Sequence, residues 1–190
     1  MQKEEKQRLF EKNLINACKN NDRKAQFKFY QLYSAKLLGI CYRFAGDYDT
    51  ANDLLQEAFI RIFKHLHLYR FEGSFDGWLK KIAVRTSIDY LKKHKLNELS
   101  ELDTSTEPIA PPNISEQYDV DFIMNEIAKL PTGFRTILNL YAIEGYSYPE
   151  IAAMLDIKEV TVRSQYVRAK QKLADTLKNK YPIDYATKII

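Results

Sequence analysis

Thr161, Ser164, Arg168, Gln171 and Lys172 fall on one side of a helix if residues 159–173 turn at about 100° per residue. Arg163, Val167 and Lys170 flank them. Hydroxyls, amides and cations of this kind hydrogen-bond phosphate oxygens and base edges, and an aliphatic side chain such as Val167 can touch a thymine methyl group. The opposite side carries Val162, Tyr166, Ala169, Leu173 and Leu177, an apolar stripe for packing on a domain. The chemistry offered is recognition of a nucleic acid rather than bond making. A solvated helix at the end of a bundle would carry similar charges, so the elements around this one must decide.

Bond-making chemistry finds no comparable set of residues. His65 and His67 lie two apart and so point in different directions on a helix, His94 stands among lysines, and Cys18 and Cys41 are isolated on apolar faces. Glycine-rich phosphate loops and nucleophile motifs are absent from the sequence. The expectation is a protein that is not an enzyme, with no cofactor, no metal and no small-molecule substrate.

The recognition face needs a second helix to position it. Ser147 with Glu150 three residues on forms a capping box, and Pro149 sits in the first turn, where a missing N–H costs nothing. Ile151, Ala152 and Leu155 give that helix its buried stripe, and the pattern breaks at Asp156-Ile157-Lys158, where Asp tolerates a left-handed backbone. Two short helices around a tight turn make a helix-turn-helix whose second member reads the major groove.

The N-terminal half reads as helices throughout. Leu9, Phe10, Leu14, Ile15 and Cys18 open a short amphipathic helix, and Asn20-Asn21-Asp22 breaks it. Ala25, Phe29, Leu32, Tyr33, Leu37, Ile40, Cys41 and Phe44 then recur at three- and four-residue steps up to Gly46-Asp47. A third helix over residues 49–66 buries Ala51, Leu54, Leu55, Ala58, Phe59, Ile62 and Phe63, which leaves Asp53, Gln56, Glu57, Ile60 and Lys64 on the other side. A large aliphatic Ile60 ringed by acid and amide groups fits a patch that binds a partner helix.

From Tyr69 a polar aromatic loop runs into a basic helix, with Ser74 as its N-cap. Phe75, Trp78, Leu79, Ile82 and Ala83 build its buried side, and Lys80, Lys81, Arg85, Lys92, Lys93 and Lys95 supply charge. Aromatics beside cations suit an unstacked single-stranded base, which is held by stacking and by neutralising its backbone. In the blander reading Phe71, Phe75 and Trp78 are core.

Between Lys95 and Lys129 there is no Lys or Arg, although the 190-residue chain has a net charge of +4. This acidic, Ser-, Thr- and Pro-rich interval separates two basic modules and is expected to be a flexible linker. Val120, Ile123, Met124, Ile127 and Leu130 then mark a helix ended by Pro131, and Ile137, Leu138, Leu140 and Tyr141 another. The class is all-α, two helical domains joined by a flexible acidic linker: residues 1–96, a linker over 97–118, and residues 119–190 ending in the helix-turn-helix. No apolar run approaches the roughly 18 residues of a membrane span, and the N-terminus has no apolar segment of signal-peptide type, so a cytoplasmic protein is expected.

In three places, in order, the chain resembles an extracytoplasmic-function sigma factor, a small two-domain bacterial transcription initiation factor. DLLQEAFIRIF from Asp53 is similar to that family's polymerase-binding helix, YRFEGSFDGWLKKIAVRTSIDYLKK from Tyr69 to its promoter-opening segment, and LPTGFRTILNLYAIEGYSYPEIAAMLDIKEVTVRSQYVRAKQKL to its upstream-element reader. The resemblance implies that Asp53, Gln56, Glu57 and Ile60 contact core RNA polymerase. It implies a base captured from opened promoter DNA near Tyr69, Arg70, Phe71, Glu72, Gly73, Ser74 and Phe75, with Lys80, Lys81 and Arg85 beside the strand. Upstream duplex falls to Thr161, Arg163, Ser164, Val167 and Arg168, on the face that also carries Gln171 and Lys172.

An anti-sigma factor is a further partner the resemblance implies. Phe71 stands where relatives often have Gly, Arg85 where many have Asn, Lys158 in place of a usual Ser cap and Gln165 in place of a common Arg. Two rivals remain on the residues alone. A stand-alone helix-turn-helix regulator would bind a palindromic operator as a dimer without polymerase. A helical adaptor would bind protein only and show no salt-dependent affinity for DNA.

Overall fold

The computed structural model describes residues 2–94 and 120–180, and every regular element in them is helical. The expected linker over 97–118 lies outside the described residues. By their contacts the described residues separate into two compact units, one of residues 2–42 and 47–89, the other of residues 43–46, 90–94 and 120–180.

In the first unit, helix α1 (Gln2–Lys19) is longer than its short apolar pattern suggests, and α2 (Arg23–Ala45) and α3 (Tyr48–His65) follow. A 3-10 turn (Leu66–Leu68) and a loop then lead to α4 (Phe75–His94), which runs on into the residues of the second unit. Asp47 starts α3 by accepting the Thr50 amide at 2.8 Å. Ser74 does the same for α4, accepting the Gly77 amide at 3.2 Å.

Phe29 is the centre of this core. It is fully buried, with Tyr33, Phe63, Phe75 and Phe59 rings at 4.7, 5.5, 5.8 and 6.2 Å. Ala51, Leu54, Leu55, Ala58, Phe59 and Ile62 form the buried stripe of α3 as the periodicity predicts, with Phe63 half-buried at its edge. Two expected stripes are narrower than read. Leu9 and Phe10 are exposed while Leu14, Ile15 and Cys18 are buried, so only the second half of α1 packs. Leu32 is also exposed, because it lies roughly 100° from the centre of the stripe that Phe29, Leu37 and Ile40 define.

In the second unit, α5 (Val120–Ala128) and α6 (Thr132–Leu138) precede a π-helical turn (Asn139–Ile143), then α7 (Tyr148–Leu155) and α8 (Glu159–Lys180). Ile127, Leu130, Phe134 and Leu138 meet Ala169, Leu173 and Leu177 of α8 in one apolar cluster. Ile151 and Leu155 of α7 and Val162 of α8 are fully buried beside it. The π turn interrupts the helix that Ile137 to Tyr141 were expected to continue. Its close is the Glu144 amide, which donates to Asn139 O at 2.9 Å, one residue further back than in an α-helix.

Candidate nucleic-acid and partner interfaces

The helix-turn-helix is built by local chemistry. Ser147 and Glu150 close a capping box on α7, in which the stronger arm runs backward: Glu150 Oε2 accepts the Ser147 amide at 2.8 Å and its hydroxyl at 2.6 Å. Asp156 ends the helix in the left-handed region, φ 58°, and the Ile157 amide returns to Ala152 O at 3.1 Å. Tyr148 stacks on Tyr141 at 4.4 Å, and the Tyr166 ring of α8 lies 4.6 Å from Tyr141, so three aromatic rings fix α8 against the turn. Burial and the Tyr141 hydrogen bond push the Tyr148 hydroxyl up to about 12, so it stays protonated.

On α8 the apolar stripe is as predicted, with Gln165 added to the buried side at 2% exposure. The opposite face carries the candidate readers. Arg163 is exposed; Glu159 Oε1 holds its guanidinium at 2.6 and 3.0 Å, and the guanidinium lies 4.7 Å over the Tyr148 ring. Ser164 Oγ donates to Thr161 O at 3.0 Å, and Gln171 donates to Asp175 at 2.9 Å. Thr161, Val167 and Arg168 are partly exposed and Lys172 exposed. Val160, 70% exposed in the first turn of α8 and on the same side as Ser164 and Gln171, belongs with them. Sequence reasoning passed over it because a valine at a helix start reads as packing.

On α3, Asp53, Gln56, Glu57 and Ile60 are all exposed, Ile60 to 62%. Glu57 accepts from Arg61 Nε at 2.8 Å, and Arg61 also pairs with Asp89 of α4, which braces the two helices. Hydrogen bonds to Asp89 and Glu57 hold the Arg61 guanidinium above its ordinary value, so the arginine of the brace stays charged.

The loop between the 3-10 turn and α4 makes a pocket of ≈ 520 Å³. Its walls come from Tyr69, Phe71, Gly73, Ser74, Phe75 and Asp76, and also from Glu11, Lys12 and Ile15 of α1. Tyr69 and Phe75 are buried: their rings pack 4.8 Å apart, Trp78 stacks on Phe75 at 5.8 Å, and the Tyr69 hydroxyl donates to Gly73 O at 3.3 Å. They shape the floor of the pocket, while Phe71, at 38% exposure, stands at its rim.

Phe71 has φ 62°, in the left-handed region where a bulky residue is strained by roughly 1–3 kcal/mol. Lys19 holds it there, its ammonium 4.7 Å over the Phe71 ring and donating to Tyr69 O at 2.7 Å. Lys12 approaches the same ring at 5.7 Å. Arg70, Glu72, Lys81 and Arg85 are exposed and Lys80 partly so. Lys81, Arg85 and Asp89 follow at four-residue steps along α4. The contribution of α1 was not legible, since Lys19 and Tyr69 lie 50 residues apart.

Two family models match these same segments: Sigma-70 region 2 over residues 29–96 and Sigma-70 region 4 over residues 123–173. The chain belongs to the extracytoplasmic-function (ECF) sigma factors. It is 34% identical over 152 residues to the ECF RNA polymerase sigma factor SigE of Mycolicibacterium smegmatis, covering 76% of this chain and 58% of that one. To the ECF RNA polymerase sigma factor SigW of Bacillus subtilis it is 28% identical over 181 residues, 88% of this chain and 97% of that one. A sigma factor of Bartonella quintana, solved with an anti-sigma factor, matches at a TM-score of 0.49 and 18% identity over 81% of this chain and 97% of that one.

As an alternative sigma factor of this group, the chain acts in transcription initiation, and the stand-alone regulator is not favoured. Among the described residues no helix is long and apolar enough to cross a membrane.

Proposed function

We propose that the chain divides this work among three surfaces. Residues 1–96 bind core polymerase and open the promoter, 97–118 link, and 119–190 read the upstream element. Asp53, Gln56, Glu57 and Ile60 dock on polymerase, and the observation that carries this is Ile60, 62% exposed in the middle of a polar face. Burying it on a partner helix removes from water an aliphatic side chain that the fold leaves mostly exposed.

The loop from Tyr69 to Phe75, with Tyr69 and Phe75 in the pocket floor and Phe71 at its rim, takes a base out of the opened strand. Lys80, Lys81 and Arg85 lie beside that strand's phosphates. Opening costs a few kcal/mol per unstacked step, which base capture and phosphate contacts offset. On α8, Thr161, Arg163, Ser164, Val167, Arg168, Gln171 and Lys172 meet the upstream duplex, Val167 as an apolar contact and the rest as hydrogen-bonding or charged groups. The chain itself makes and breaks no covalent bond; polymerase synthesises the RNA, and both work in the cytoplasm. An anti-sigma factor that covers the polymerase and DNA faces is the regulator that fits this division.

The test is transcription by core polymerase from a genomic fragment library with the wild-type chain and with Arg168→Ala. New start sites sharing an upstream element, with the variant losing roughly tenfold in affinity for that element and part of its salt dependence, support the assignment. An unchanged salt slope and unchanged affinity would move the upstream contact off this face.

A further inference from the structure

The loop pocket has a wall that belongs to neither the loop nor the basic helix. Glu11, Lys12 and Ile15 project from α1 into the same ≈ 520 Å³ that Phe71, Gly73 and Ser74 bound from the other side. A volume of this size lies within the roughly 300–1,000 Å³ of small-ligand clefts.

The acids and cations around it are differently occupied. Asp76 is paired with Lys36 at 2.8 Å. Lys19 is spent on Phe71 and Tyr69 O. Glu11 uses one oxygen, Oε1, to accept the Tyr33 hydroxyl at 2.9 Å. Tyr33 is held well above its ordinary value by burial and by that carboxylate, so it remains the donor and Glu11 the acceptor. The second oxygen of Glu11 and the Lys12 ammonium are thus one acceptor and one donor, side by side in sequence on the wall of a pocket with an aromatic floor.

We propose that Glu11 selects the base held in this pocket: its carboxylate accepts from an exocyclic amino group, so the pocket takes cytosine, adenine or guanine in preference to thymine. The inference rests on the single-strand capture proposed above. Cytosine N4 and adenine N6 are amino donors, each beside a ring nitrogen that accepts, which matches Glu11 with Lys12. Guanine N2 is likewise an amino donor beside the N3 acceptor, whereas thymine has no amino group and presents its carbonyl oxygens, which meet the carboxylate as acceptor against acceptor. The discrimination comes from repulsion as much as from the bond formed.

The experiment uses the full chain with core polymerase and forked promoter DNA whose unpaired strand is randomised over the melted segment. Bound strands are sequenced for the wild type and for Glu11→Gln. Glutamine keeps an oxygen for the Tyr33 hydroxyl but adds an amide donor, so it can serve a carbonyl. The wild type is expected to disfavour thymine about tenfold against the amino-bearing bases at one position, and Glu11→Gln to abolish or invert that preference there while other positions keep theirs. Polymerase binding by the variant should equal the wild type, which separates specificity from folding. Capture with no preference at any position, or a preference that Glu11→Gln leaves intact, overturns this inference alone. Polymerase binding with no capture of any unpaired strand overturns the capture reading and this inference with it.

Discussion

Phe71 is the residue whose backbone and side chain disagree. A left-handed φ of 62° suits glycine, yet the side chain is a ring clamped by Lys19 and touching Tyr69 at 5.3 Å. Phe71→Ala loses the ring and keeps the strain, whereas Phe71→Gly loses both. The glycine variant should therefore be more stable than the alanine variant by about 1 kcal/mol in denaturant unfolding, while both bind the unpaired strand more weakly than the wild type. Equal stability of the two variants would show that the backbone is not strained there. Cys18 is a second residue with a measurable signature. Burial pushes its thiol up to about 11, so the folded chain holds a proton that the unfolded chain releases near its ordinary value. Its contribution to stability is complete below about 9 and is lost as pH rises toward about 11. Cys18→Ala should flatten the alkaline limb of a stability-against-pH curve, and an unchanged slope would assign that limb to other groups.

The helix-turn-helix was the most legible element, because its signals are local. Ser147, Pro149 and Glu150 announce a helix start within four residues, and Asp156 tolerates the left-handed turn it adopts at φ 58°. Ser147→Ala should cost about 1 kcal/mol of folding stability, and Glu150→Ala no less, since the backward arm makes the shorter bonds. Asp156→Gly should raise stability by about 0.5–1 kcal/mol, measured by chemical denaturation; a loss would mean that the Asp side chain is needed in the turn. The remaining elements were legible where period alone decided them. Ile60 and its neighbours on α3 stand where the periodicity put them, because a stripe of seven apolar positions leaves little choice of face. What escaped notice depends on tertiary neighbours: the π turn at Asn139–Ile143, the buried Gln165, the exposed Val160, and above all the wall that α1 gives to the pocket. Glu11 and Lys12 carry no signal in sequence, since charged residues on an amphipathic helix are read as solvated until another chain segment is placed against them.

On the division proposed above, the whole molecule is an assembly device: one surface for a protein partner, one pocket for an unpaired strand, one helix for duplex, with an acidic stretch of sequence between the basic modules. Charge alone would bring such a chain to any DNA, so what distinguishes a sigma factor is that its specific action requires polymerase. In the proposed assignment the α3 face carries that requirement. Ile60 is exposed, so replacing it by a charge disturbs no core packing, and loss of function cannot be ascribed to unfolding. The deciding measurement is equilibrium binding of the purified full chain to core RNA polymerase, wild type against Ile60→Asp, with folding monitored by circular dichroism. The account predicts tight binding by the wild type and at least a tenfold loss in the variant, with identical helicity and thermal midpoints. Equal binding by the two chains would contradict it and remove the α3 face from the polymerase interface.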